Sequence, residues 1–168
     1  MTSEGGRDAE LGGGRSPSHE GPRRRPAIGK IRRGEPTARC ADPPAPALLE
    51  GIAQFNRGEF FEQHETLEDA WIEEQDPIRY LYQGILQVGV GFYHLSRGNG
   101  YGAGRLWARG VALLETFPPA CNGIAVAELV AATQRCMAEL EARGVDGFDR
   151  SLIPRVRLVG DEAVGSRQ

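Results

Sequence analysis

Lysine occurs once in these 168 residues, at Lys30, and cysteine three times, at Cys40, Cys121 and Cys136. The cysteines share no CxxC spacing and one lies in a Gly- and Pro-rich stretch, so neither a disulfide framework nor a zinc knuckle is expected. Clustered positive charge is missing from the middle of the chain. Residues 47 to 143 hold seven arginines against thirteen acids, whereas residues 1 to 46 hold nine basic residues against six acids. Phosphate neutralisation needs grouped Lys and Arg, which excludes a nucleic-acid groove from the acidic part and leaves only residues 23 to 33 to supply one. No apolar run follows Arg23, Arg24 and Arg25, and the glycines and prolines around them exclude a signal helix. The chain is expected in the cytoplasm.

Ionised side chains are also absent from Tyr80 to Ser96. These 17 residues include Gln83, Gln87, His94 and three glycines, too short and too polar a run for a membrane span. A buried central helix is expected instead, with no membrane partner.

No stretch of credible strand length alternates with a period of two, so the expected class is all-α. A chain of this length has room for one domain. Residues 1 to 45 are rich in Gly, Pro, Arg and Ser and bury too little to offset ordering entropy; they are expected to form a disordered arm. Residues 46 to 144 read as a compact bundle of about five antiparallel helices joined by short loops, and residues 145 to 168 as an irregular tail in which 152 to 158 docks as an extended segment.

The first helix starts at Pro46, carries Leu48, Leu49, Ile52 and Phe55 at helical spacing and stops at Gly58. The second spans residues 59 to 74. For the third, Asp76 reads as N-cap and Pro77 as first helical residue, with the end at Gly98-Asn99-Gly100. The fourth covers 101 to 116, with Leu106, Trp107, Leu113 and Leu114 on one side, Arg105 and Arg109 on the other, and Pro118-Pro119 as the stop. The fifth runs over 124 to 143, with Leu129, Val130, Cys136, Met137 and Leu140 inward and Gly144 as its cap.

The second helix sets His64 and Glu68 into its own apolar face. Stepping about 100° per residue from Phe60, Leu67 falls near about 340°, Trp71 near about 20°, Phe61 near about 100° and Ile72 near about 120°. His64 and Glu68 fall between them, while Glu62, Asp69 and Glu73 share a solvated face. In the third helix Gln83, Gln87, Val90 and His94 form one narrow stripe. Facing solvent, it is the wet edge of a core helix; facing His64 and Glu68, it makes an internal polar network with Arg79 at its rim. A buried Glu68 needs a partner, and Arg79 or a histidine would hold it ionised. Gly84, Gly89 and Gly91 each weaken a helix by about 1 kcal/mol relative to Ala, a cost that fits close packing of another backbone.

These residues carry a resemblance. The run Phe55-Asn56-x-Gly58-x-Phe60-Phe61-Glu62-x-His64-Glu65-x-Leu67-Glu68-x-x-Trp71 is followed by Arg79, Gln83-Gly84-x-Leu86-Gln87, Tyr93-His94 and Gly98-Asn99-x-x-Gly102-Ala103-x-x-Leu106. Over about residues 48 to 117 it resembles the family named domain of unknown function 309. The resemblance implies a small all-helical bundle in a family without an established activity. Gly89 and Gly91 depart from the Ala expected there, and the basic arm lies outside the family pattern.

The leading expectation is a non-enzymatic structural or protein-interaction module, self-associating or partner-binding, with a polar network of His64, Glu65, Glu68, Arg79, Gln83, Gln87 and His94. It assigns no catalytic residue and no cofactor. The alternative is a metal-dependent hydrolase or oxidase binding a divalent metal through His64, Glu68 and His94: His and Glu at i and i+4 share a helix face. The zincin pattern, however, needs a second His where Glu68 stands, and a di-iron bundle needs ExxH on two helices. A second alternative is a nucleic-acid-associated protein acting through residues 23 to 33. Trp71 and Trp107 read as core, and Arg105 and Arg109 as a solvated face with phosphate binding as the lesser use.

Overall fold

The computed structural model describes residues 31–161. The disorder expected for residues 1 to 30, the basic residues up to Lys30 and the last part of the irregular tail lie outside the described residues. The described chain is all-α: α1 (Pro46–Asn56), α2 (Phe60–Glu73), α3 (Arg79–Ser96), α4 (Gly100–Leu114) and α5 (Val126–Arg143), with 3-10 turns at Ala38–Ala41 and Arg150–Leu152. Among the described residues extended pairing is limited to isolated bridges of Ile124 with Cys121 and with Leu158.

Local chemistry sets the helix ends. Pro46 opens α1, where its fixed φ costs nothing and its missing N–H is not needed. Gly58 closes it at φ +78°, a left-handed conformation that a side chain would strain. The third helix starts two residues later than the sequence suggests. Asp76 Oδ1 accepts from Ile78 N at 2.9 Å and from Thr37 Oγ1 at 2.6 Å, and the next three amides bond the carbonyls three residues back. Asp76-Pro77-Ile78 is therefore a tight lead-in turn, and regular α-geometry begins at Arg79. At the start of α4, Asn99 Oδ1 accepts from Gly102 N at 2.8 Å, an N-cap bond.

Helix α3 is the central element: α2 packs on one side of it and α4 on another, α1 lies against α2, and α5 against α4. Phe55 of α1, Phe92 of α3 and Trp107 of α4 form the aromatic centre, with Phe55 and Phe92 edge-on at 6.0 Å and Phe92 and Trp107 at 4.8 Å. All three are essentially inaccessible. Their burial stabilises the fold by roughly 25 cal/mol per Å² of apolar surface. A Cβ on Gly110 would stand 2.9 Å from the Gly84 carbonyl oxygen, so α3 and α4 meet backbone to backbone, as the glycine at 84 suggests.

Both flanks are more ordered than their composition implies. Cys40 is disulfide-bonded to Cys121, 81 residues away, which corrects the expectation of no disulfide. With Cys136 buried in α5, the other two cysteines form the pair that spacing alone concealed. Asn122, in the left-handed region at φ 53°, completes a clasp around residues 39–43. Its backbone N donates to Cys40 O at 2.7 Å, and its Nδ2 lies 3.1 Å from Asp42 O. On the other flank, Asn56 donates through Nδ2 to Val156 O at 3.0 Å and accepts from Val156 N at 2.8 Å, as a strand neighbour would. The C-terminal segment thus docks extended, as expected, with Phe148 packed against Trp107 at 6.1 Å.

Candidate functional site

The motif helix α2 turns its face differently from the expected one. Gln63 is 0% exposed and Leu67 0%, whereas Phe61 is 52% exposed. On the helical wheel Gln63 lies at about 300° from Phe60, so the buried face centres on Gln63, Leu67, Phe60 and Trp71. Phe61, His64, Glu65 and Glu68 fall at its solvent edge. The His64 and Glu68 side chains keep 37% and 40% of their surface, and Nε2 to Oε2 is 3.7 Å. The pair is a rim feature, and the expected interior network does not include it. Glu65 is exposed.

Arg79, expected at the rim, is instead 4% exposed. Its guanidinium sits over the Trp71 ring at 4.6 Å and near the Tyr80 ring at 5.8 Å, a cation–π seat. Among the described residues it pairs with no carboxylate, so the expected bond to Glu68 is not formed, and its Nε is buried without a partner.

The polar stripe of α3 divides between two neighbourhoods. Gln83 and Gln87 open onto a groove beside α4 lined also by Arg33, Arg109 and Thr116. Val90 and His94 join Phe60, Phe61, His64 and Tyr93 around an apolar hollow of about 160 Å³. His94 is held by Asn99, whose Nδ2 lies 3.1 Å from Nδ1. Of the expected metal set, His64 and Glu68 face each other and His94 shares the hollow with His64. Among the described residues no three His, Cys, Asp or Glu side chains are grouped to hold a metal ion. Nor is any described helix long and apolar enough to cross a membrane.

Gln63 is the residue that sequence reasoning missed. Both its amide atoms are buried without a partner, and it occupies the space that a side chain at position 89 would take. The departure from Ala at Gly89 was the available signal. Gly91 has the same office toward Trp107, and a Cβ there would also stand 3.2 Å from the Ala103 carbonyl oxygen.

Two comparisons with known proteins find likeness over these helices. The uncharacterized protein YpuF of Bacillus subtilis (strain 168) is 40% identical over 71 residues. That match takes in 41% of this chain, and the chain spans 41% of the length of that relative. The family model described as "Domain of unknown function (DUF309)" matches residues 48–106, from the first core leucine of α1 into α4, so the resemblance carried by the motif holds over the helices that build the hollow and its rim.

Proposed function

We propose that this chain is a non-enzymatic interaction module of the cytoplasm, whose docking surface is the hollow between α2 and α3. The observation that carries the reading is Phe61, 52% exposed in the middle of the motif and tilted against Tyr93 at 5.9 Å. A residue of that size left open contributes little to the core and much to an interface, where aromatic anchors dominate affinity. The hollow beside it, about 160 Å³, is close to the volume that an apolar benzene-sized group fills. Glu65 and Glu68 follow Phe61 on the same side of α2, so the fitting occupant is a protein segment with one large apolar side chain flanked by Arg or Lys.

The test is a displayed-peptide selection against the full chain. Enrichment of an apolar residue flanked by basic ones is expected, with binding lost in Phe61→Asp. Peptides that bind Phe61→Asp as well as the parent chain would refute the reading. Sedimentation of both proteins over a dilution series then shows whether a second copy is the partner. The cytoplasmic part of the proposal has its own check. Disulfides are rare in reducing compartments, so finding Cys40–Cys121 persistently oxidised in growing cells would place the chain elsewhere.

A further inference from the structure

We infer that the groove beside α3 and α4 is a binding site for a small phosphorylated molecule, gripped at its phosphoryl group by Arg33 and Arg109. The groove encloses about 520 Å³, within the size range of small-molecule sites. It lies apart from the Phe61 hollow and shares no lining residue with it.

Three elements converge there. Gln83 and Gln87 stand one turn apart on α3, Arg109 lies on α4, and Thr116 sits in the turn that follows α4. Arg33 comes from the segment preceding α1, which is pinned beside α3 by Tyr80 Oη donating to Ile31 O at 2.8 Å and turned by Glu35 N donating to Arg32 O at 3.2 Å.

What marks this groove is that two arginines without a carboxylate partner line one space that holds no acid. Arg39, Arg57 and Arg143 each reach a carboxylate, at 2.8, 2.9 and 3.2 Å, and Arg105 bonds Tyr101 Oη at 3.1 Å. Arg33 and Arg109 have no such partner among the described residues, and no acid lines the groove. Arg33 and Arg109 are exposed and line the same acid-free groove, so an anion entering it is attracted by both. Their combined charge matches a phosphate dianion better than a single carboxylate, and their planar donor forks suit its oxygens.

The neutral groups add to the same recognition. Gln83 and Gln87 also line the groove, neither amide is committed to a hydrogen bond, and each can turn an N–H donor to a ligand there. Thr116 Oγ1 already donates to Leu113 O at 2.7 Å, which leaves its lone pairs free to accept from a ligand hydroxyl. Four groups able to donate and one hydroxyl able to accept line the same groove, a lining that suits a phosphoryl group carried on a hydroxylated body.

The experiment is calorimetric titration of the full chain at fixed ionic strength with inorganic phosphate, adenosine 5′-monophosphate and succinate. Saturable binding of both phosphates is expected, tighter for the nucleotide, with succinate weaker than either. Arg109→Ala should weaken phosphate binding tenfold or more. Gln87→Glu, nearly the same shape, should abolish it while the circular dichroism and melting curve stay unchanged. Arg105→Ala, one turn from Arg109 and engaged with Tyr101, should bind as the parent does. The proposal is overturned by no saturable binding of either phosphate at millimolar concentration, by binding that survives both Arg109→Ala and Gln87→Glu, or by succinate binding as tightly as phosphate. Phosphate binding without nucleotide binding would overturn the small-molecule part of the assignment.

Discussion

Gln63 of α2 fills the place where Gly89 of α3 has no side chain: a Cβ on Gly89 would overlap the glutamine amide. Gln63 is 0% exposed, so its amide cannot swing out into solvent and must shift within the interior between α2 and α3 to make room. Gly89→Ala should gain about 1 kcal/mol of helix propensity and lose more to overpacking, typically about 1–3 kcal/mol. Urea denaturation is expected to show net destabilisation in the parent and none, or a gain, in a Gln63→Ala background. Equal losses in both backgrounds would mean that the two residues are not coupled.

The same amide supplies a second expectation. Neither Oε1 nor Nε2 of Gln63 has a partner, and an unpaired buried polar group costs about 1–3 kcal/mol. Gln63→Met, close in length and fully apolar, should therefore raise the urea midpoint. A loss of stability would show that the amide is bonded in solution, through a buried water for instance.

His64 and Glu68, by contrast, meet at 3.7 Å with more than a third of each side chain exposed. Exposed pairs of this kind contribute about 0.2–1 kcal/mol. His64→Ala should shift the urea midpoint within that range, and a loss of several kcal/mol would restore the interior network that the helical wheel suggests.

The helical class and the central place of α3 were legible because Leu48, Ile52 and Phe55 recur at helical spacing in α1, the run from Tyr80 to Ser96 holds no ionised side chain, and punctuation sits at Gly58, Asn99 and Gly144; the glycines of α3 called for a close backbone without saying that it is α4. The rotation of α2 was not legible. Periodicity counts Phe61 as core because it is apolar, but the face a helix buries is decided by its neighbour, and α3 offers a glycine opposite Gln63. The division of the α3 stripe was hidden for a related reason: one line of polar residues runs past two different partners, so Gln83 and Gln87 meet α4 while His94 meets the hollow. The Cys40–Cys121 pair depends on contact across 81 residues, which local spacing does not encode.

That bond carries a stability expectation of its own. A cross-link closing a loop of this length restricts the unfolded chain by up to about 4–5 kcal/mol in the chain-entropy account. Cys40→Ser should lower the melting temperature clearly yet leave the helices intact, because Asn122 still donates to Asp42 O at 3.1 Å and to Cys40 O at 2.7 Å. Circular dichroism melts of parent and variant, with and without reductant, check this. Reductant should lower the parent to the level of the variant and leave the variant unmoved. Loss of helical signal at low temperature in the variant would contradict the clasp.

Cys136 behaves oppositely to the two paired cysteines. Burial pushes its thiol up from the usual 9.0 to about 11, with Sγ 3.3 Å from Leu152 O as the one bond it makes. The thiol stays protonated in the folded chain where the unfolded chain already ionises. The unfolded state therefore holds fewer protons above about pH 9, and stability falls as pH rises. The contribution is fully present below pH 9 and is lost progressively through the window from 9 to about 11, by up to about 1.4 kcal/mol per unit. A comparison of parent and Cys136→Ala by urea denaturation should show the parent losing stability faster across that window and running parallel to the variant below it. Alkylation gives a second reading. At pH 8 the native thiolate fraction is about one in a thousand, so iodoacetamide should leave Cys136 untouched in the folded protein and label it in urea. Prompt labelling under native conditions would mean that α5 opens to solvent far more often than its packing implies.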